Sequence, residues 1–371
     1  MLTPQDDFIG HQQPTSFAHT VTSDPAWMER LWYAAHPVPG GDVILNIGIG
    51  FHPNRNVMDG HAGISVGGKQ YTVRFSRHLG RNPLDIEIGP LKIQVLEGLK
   101  RHRLTLAPND LGLTFDVEFI SDRHPHVEQP RPVRRGNRIV EDVMRYQQAG
   151  RWQGWIELNG QRWALDPATW WGARDHSWGI RGGLRSDESQ PPLTVYPPML
   201  FLWFVGQLPS RSFHLFQMDR GPADVIYLSG EETLPQAQRA EPGRHIKVAN
   251  HDIEWQAGGV GQQFKQARLD LVLADGSRRE LHIRPVGTRF FLKGGMYGGL
   301  NGWDHGDDKG RYYTEHNVWD LANPADRRVM RQFSDEICEF REGDEVGYGT
   351  FQYWVTGGYP RYPEPQQFPG P

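Results

Sequence analysis

The residues with the most chemical capacity are consecutive: Trp170-Trp171-Gly172-Ala173-Arg174-Asp175-His176-Ser177-Trp178-Gly179-Ile180-Arg181. Two guanidinium groups beside a carboxylate and an imidazole can form a charge-assisted hydrogen-bond network. Three indoles around that network keep water away, and water exclusion strengthens every electrostatic term inside. Asp175 is the acid of the stretch. Surrounding indoles push its carboxyl toward the neutral form, while a neighbouring arginine pulls it toward the charged form. His176 is an imidazole that can relay a proton. Trp170, Trp171 and Trp178 can face a developing cation through their rings. All this suits an active-site loop. It suits equally a buried junction in which Arg174–Asp175 or Asp175–Arg181 is a structural ion pair.

A second group is Trp303-Asp304-His305-Gly306-Asp307-Asp308 with Tyr312-Tyr313-Thr314-Glu315-His316-Asn317. If residues 312–319 form a strand, Tyr313, Glu315, Asn317 and Trp319 share one face and Tyr312, Thr314, His316 and Val318 the other. Glu315 and His316 would then not ligate together. His305 with His316, helped by Asp304, is left as a metal pair, but the spacing matches no recognised zinc pattern. No metal is therefore expected, and a structural or substrate-contacting role fits Trp303, Asp304, His305 and Tyr313 better. The Gly-rich Gly48-Ile49-Gly50-Phe51-His52-Pro53 has no helix after it, which rejects a dinucleotide site. There is no Gly-x-Ser-x-Gly elbow and no Walker motif, against hydrolase and P-loop chemistry.

The elements that must position these residues are strands. The 371-residue chain holds 13 Trp, 43 Gly and 28 Pro, a composition of many short strands and turns. Its length exceeds what one core usually serves, so two domains are expected. Hairpins are predicted at Gly67-Gly68, Asn159-Gly160 and Asp275-Gly276, each with glycine where a type I′ turn needs positive φ. Further strands are predicted at 43–49, 93–96, 112–119, 199–205, 212–218, 312–319 and 349–356. Helices are predicted at 26–35, behind Ser23-Asp24-Pro25, at 139–148 before Gly150, and at 324–337. The Arg-, His- and Pro-rich residues 123–137 read as a surface loop, and residues 359–371, with five Pro, as an extended tail. The polar, Pro-rich residues 186–192 mark the break, giving domains 1–185 and 186–371.

Formal net charge is −4 and no basic run is long enough to track a phosphate backbone, which excludes nucleic acid as partner. A single cysteine, Cys338, excludes an internal disulfide and a Cys-based zinc site. No basic region followed by an apolar stretch opens the chain, and the longest apolar run, 199–206, is too short to span a bilayer. A cytoplasmic protein without a transmembrane segment is expected; a homodimer is left open.

Residues 172–181 resemble a motif of the carotenoid hydratases (hydroxyneurosporene synthases) and AttH-like proteins. Tyr146-Gln147-Gln148-Ala149-Gly150, Gly154, Asn159-Gly160-Gln161, Trp303-Asp304-His305-Gly306 and Phe351-Gln352-Tyr353-Trp354 are similar to that family too. The resemblance implies a mainly β fold of two lipocalin-like (calycin-type) antiparallel barrels packed together. It implies cofactor-free, non-redox work on hydrophobic isoprenoid, steroid-like or polyketide substrates. On that reading the chain is a hydratase, dehydratase, cyclase or isomerase. Asp175 donates the proton, His176 or Glu315 relays it, Arg174 belongs to the catalytic cluster, and Trp171, Trp178, Arg181 and Trp303 line the pocket with Asp304, His305 and Tyr313. The competing reading is a carrier that holds a hydrophobic molecule inside a barrel without changing it.

Overall fold

The computed structural model describes residues 7, 9, 20–80, 85–181, 197–235, 244–256, 262–330 and 334–362. The expected break at 186–192 lies outside these residues, as does the tail beyond 362. The first unit contains β1 (Trp27–Pro37), β2 (Val43–His52), β3 (Val57–Val66), β4 (Lys69–His78), β5 (Glu87–Ile88), β6 (Leu91–Glu97), β7 (Arg101–Leu106), β8 (Leu113–Ile120), β9 (His126–Val127), β10 (Val133–Arg135), β11 (Arg138–Leu158), β12 (Gln161–Leu165) and β13 (Trp170–Ile180). The second contains β14 (Met199–Gln207), β15 (Ser212–Asp219), β16 (Val225–Thr233), β17 (Arg244–Trp255), β18 (Phe264–Leu273), β19 (Arg278–Phe291), β20 (Tyr312–Asp320), the short helix α1 (Pro324–Met330), β21 (Ser334–Glu342) and β22 (Glu345–Thr356).

The fold is mainly β and lipocalin-like, as expected. Strands β14 to β19 with β21 and β22 close into an eight-stranded barrel. The first unit is a curled sheet whose main path runs β20-β4-β3-β2-β1-β13-β11-β8-β7-β6-β5, open between its ends. Its outermost strand, β20, comes from the second half of the chain and pairs with β4 from Tyr312↔Arg77 to Asp320↔Lys69.

Two helix expectations fail. Residues 27–35 lie in β1, buried on both faces, so the apolar pattern there carries no clean period; residues 139–148 lie in β11, half-buried or exposed as far as Arg145, and are extended by pairing with β13. Asp24 does cap a turn, accepting the Ala26 N–H at 2.8 Å, but the turn feeds β1. The third helix survives only as α1. Gly67-Gly68 and Asn159-Gly160 have positive φ at both positions, as a type I′ turn requires. At Asp275-Gly276 only the glycine does, and the Leu273 N–H bonds Ser277 O, so this loop is longer than expected. Residues 123–137 are not a plain surface loop. Arg123, His126 and Glu128 are buried, and His126 Nδ1 lies 2.9 Å from Glu231 of the barrel. Tyr359 and Tyr362, at the start of the expected tail, are buried against the barrel core.

On the sheet's outer face Ala34, Ala149 and Ala173 make a shallow surface on which Trp203 and Val205 of β14 rest. Inside the closed barrel, among the described residues, Leu200, Leu202, Phe204, Phe264, Phe340 and Phe351 pack into one core.

A cavity between the two units as candidate active site

The chemistry-rich stretch is a strand, and strand alternation divides it. Arg174, His176 and Trp178 of β13 point into the curl of the first unit; Trp171 and Asp175 point outward. The structure therefore does not bring Asp175 together with Arg174 and His176.

The inward set is a closed network. Arg174 donates from Nε and Nη2 to Gln148 Oε1 at 3.0 and 2.7 Å, and its Nη2 lies 2.7 Å from Asp7 Oδ1. Asp7 also takes the Tyr146 hydroxyl at 2.5 Å and the His102 Nε2–H at 2.9 Å. His102 Nδ1 accepts the Tyr33 hydroxyl at 2.6 Å. His176 Nε2 lies 2.7 Å from Glu29. Burial opposes the Asp7 charge, but Arg174 and the His102 and Tyr146 hydrogen bonds outweigh it and hold the carboxyl well below its usual range. Burial, then the Arg174 charge, push His102 down to about 4, so its ring is neutral. This network fastens the first unit around its core. Trp178 packs edge-on against Tyr146 and His176 within it.

Asp175 instead lines a cavity of about 200 Å³ between the two units. Trp32, Phe201, Trp203, Phe216, Tyr227 and Tyr297 form its aromatic wall. Trp32 and Trp203 meet edge to face at 5.4 Å between centroids. Arg145 Nε lies 3.5 Å from Asp175 Oδ2, but Arg145 Nη1 is closer to Glu128, at 3.0 Å. Glu128 also accepts Gln147 Nε2 at 2.6 Å and the Trp203 indole N–H at 3.3 Å. The arginine is thus shared, and its better contact goes elsewhere. Burial raises the Asp175 carboxyl above its ordinary value; Arg145 and Arg181 oppose this and Glu128 adds to it. Arg181, just past the end of β13, lines the same cavity.

One acid near the cavity gave no signal in the sequence. Asp335 on β21 is fully buried and accepts Gln352 Nε2 at 2.7 Å and Asn46 Nδ2 at 2.6 Å. Gln352 lines the cavity. Burial pushes Asp335 up to about 7, helped by the nearby Asp175 and opposed by the two amide hydrogen bonds.

The second sequence cluster lies apart from Asp175. Glu315 accepts the Trp303 indole N–H at 2.8 Å and the Tyr313 hydroxyl at 3.1 Å, and pairs with Arg74. None of Glu315, Trp303 and Tyr313 lines the cavity. Asp304 accepts the His305 backbone N–H at 2.7 Å, and burial raises its carboxyl. The predicted alternation of β20 holds: His316 is exposed on the other face and lines a shallow groove with Val73 and Tyr312, so it never meets His305. Trp171 is covered by Arg151 at 3.7 Å and sits against Tyr348, away from the cavity.

His305 instead joins His52 and Asp59, three buried groups whose ligand atoms lie within 4.8 Å of one another. That spacing can hold a metal. The neighbours favour a clamp. Arg30 Nη1, a donor only, lies 2.6 Å from His305 Nε2, which must accept. The ring proton is then on Nδ1, facing Asp59 Oδ1 at 3.3 Å, where a metal would need a lone pair. His52 Nε2 at 3.1 Å and the Gly306 N–H at 2.6 Å complete the Asp59 carboxylate. The clamp fixes the loop that carries Tyr297, whose ring lies 4.5 Å from the Arg30 guanidinium and forms part of the cavity wall.

Sequence reasoning missed Trp32, Trp203, Arg145 and Asp335. Trp32 was hidden in the expected helix 26–35 and Arg145 in 139–148. Trp203 lay in a correctly expected strand, but nothing local says which of its faces meets the other unit.

A model of a family of unknown function (DUF8625) matches residues 2–362. No curated protein matches the sequence. Among solved structures, the chain is similar to a Nitrosomonas europaea protein provisionally assigned as an AttH, with TM-score 0.55 and 13% identity over 95% of this chain and 99% of that one. It is also similar to CghA solved with Sch210972, with TM-score 0.50 and 9% identity over 90% and 89%. A looser likeness, TM-score 0.43 and 10% identity over 88% of each chain, is to kievitone hydratase from Nectria haematococca. At these identities the likenesses concern the fold.

Proposed function

The chain belongs to the family of unknown function DUF8625, and we propose that it is a cofactor-free acid–base enzyme. Its reaction is a hydration or dehydration, a cyclisation or an isomerisation of a hydrophobic isoprenoid, steroid-like or polyketide substrate at the cavity between the units. The observation that carries the reading is Asp175: a carboxyl raised by burial, inside an aromatic-walled cavity, with its arginine shared with Glu128. Burial moves this carboxyl toward the protonated form that can donate, and environment sets that role.

In a hydration, Asp175 gives its proton to one alkene carbon. Positive charge develops on the other carbon, opposite the faces of Trp32 and Trp203. Arg145 and Arg181 stabilise the aspartate left behind. Water adds to the cation and returns a proton to Asp175, so one water is gained and the acid is restored. Neither an electron nor a carrier group is needed for that balance. In a cyclisation a second alkene attacks the cation, and the new cation so formed loses a proton to the Asp175 carboxylate; in an isomerisation the first cation returns a different proton to it. About 200 Å³ admits the reacting end of such a substrate rather than a whole long isoprenoid, because drug-sized sites span roughly 300–1,000 Å³.

The test starts from the purified protein, by native mass spectrometry and solvent extraction of whatever it retains. With that compound or its unsaturated analogue, Asp175→Asn should lower turnover by about a hundredfold or more and leave the melting temperature nearly unchanged. A loss of about 3–5 kcal/mol of stability instead would make Asp175 a structural ion-pair partner. A compound recovered chemically unchanged from wild type and Asp175→Asn alike would favour a carrier. Such a carrier would use this cavity, whose wall is aromatic.

A further inference from the structure

Among the described residues, Arg181 is the cavity arginine without an ion pair. Three arginines line the cavity: Arg131, Arg145 and Arg181. Arg145 is tied to Glu128 and Asp175, and Arg131 lies 3.4 Å from Glu141. Arg181 makes no ion pair and no side-chain hydrogen bond among the described residues. Its neighbour there is the Tyr297 ring, whose centroid is 6.0 Å from the guanidinium carbon. Burial works against its charge, and Arg145 and Arg30 repel it, against opposing contributions from Tyr297 and Asp175. Arg181 is half-buried at the aromatic wall, and a planar anion completes such a guanidinium with paired, charge-assisted hydrogen bonds.

We propose that the cavity takes a compact, unsaturated or aromatic molecule carrying a carboxylate, with that carboxylate on Arg181 and the reacting carbons toward Asp175. This rests on the choice of cavity made above and narrows its substrate class from hydrophobic to amphiphilic. The ring-lined wall accepts the flat apolar part. The anion has a second effect. Negative charge bound beside Asp175 disfavours its ionised form, so the ligand itself helps to keep the acid loaded.

The probes are 2-naphthoate and 2-naphthamide, which share rings and size and differ in charge. Each is titrated into the full-length protein at neutral pH, followed by tryptophan fluorescence and calorimetry. Wild type should bind naphthoate about tenfold to a hundredfold more tightly than naphthamide, the range expected for a hydrogen-bonded charge. Arg181→Gln should remove that preference and leave naphthamide binding within about threefold, because the neutral amide has no charge for the guanidinium to pair with. Equal affinities in wild type, no binding of either probe, or an undiminished preference in Arg181→Gln would overturn the proposal. If Arg181→Gln does not fold, Arg181→Lys carries the test. A point charge in place of the planar fork should weaken naphthoate selectively, and an unchanged preference would overturn the proposal. Asp175→Asn separates the two readings. Naphthoate preference without any Asp175-dependent turnover keeps this ligand class and removes the catalytic reading. Asp175-dependent turnover without the preference does the reverse.

Discussion

Asp175 and Asp335 are both raised by burial, yet they sit in different company. Asp175 has two arginines in reach. Asp335 has two amide donors and, among the described residues, no ion pair. An amide stabilises a carboxylate less than a cation does, so burial prevails more fully at Asp335 and carries it to about 7. Its linkage to stability follows. Between the unfolded value of 3.8 and about 7, the native state holds a proton that the unfolded state has released. Stability therefore falls as pH rises through that window, and the cost is complete above it. Asp335→Asn cannot ionise. Urea unfolding from pH 4 to pH 8 should show the variant gaining a few kcal/mol on wild type across the range. A stability difference that stays constant with pH would mean that Asp335 does not titrate there. Asp7 has the opposite sign: Arg174, His102 and Tyr146 hold it low, and its contribution is lost as pH falls below the ordinary carboxylate range.

Strands set which of these groups can meet. On β13 the single-residue step from Arg174 to Asp175 is a change of face, from the first unit's core to the cavity. The sheet reaches that geometry through glycine on its inner face. A Cβ at Gly172 would come to 1.9 Å from Ala34 O and 2.6 Å from Trp152 Nε1, where Trp152 now donates to Ala34 O at 3.0 Å. Gly172→Ala should therefore push β1 and β13 apart and cost about 1–3 kcal/mol. Thermal unfolding reads this directly, and an unchanged melting temperature would mean that the strands have slack. The same scale explains what was legible in the sequence. Gly67-Gly68 and Asn159-Gly160 announce their hairpins because turn chemistry is local. Asp175 stands out because an acid among indoles is a local pattern too. The strand nature of residues 26–35 was hidden because β1 is buried on both faces, which requires β14 and the rest of the barrel. Asp335 and Trp203 were hidden for the same reason: their roles exist only once β14, β21 and β22 lie against β1, β2 and β13.

At the scale of the molecule, the chain binds its halves together at several places. It packs Trp203 and Val205 against Trp32, Ala34, Ala149 and Ala173. It also leaves the barrel after β19, lays β20 along β4 of the first sheet, and returns through α1 to β21. Chain order and spatial order therefore differ, and the sheet's outer edge depends on residues that the simple split at 185 assigns to the other unit. The cavity exists only where the two units meet, so their docking and the proposed chemistry share residues. Trp203 is the central one: it touches Trp32, donates to Glu128 and lines the cavity. Wild type should unfold in one cooperative transition. Trp203→Ala removes a buried indole, a change worth about 3–5 kcal/mol, but it leaves each unit's own core intact. The expected result is separation into two transitions in calorimetry, with the β20–β4 pairing holding the halves in one chain topology but no longer in one cooperative unit. A single transition that merely shifts to lower temperature would show that the remaining contacts, the β20–β4 pairing, the Asn46–Asp335 and His126–Glu231 contacts and the packing of Ile44 on Phe290 and Ile337, are enough to couple them. In that case the docking that forms the cavity does not depend on the Trp203 contact.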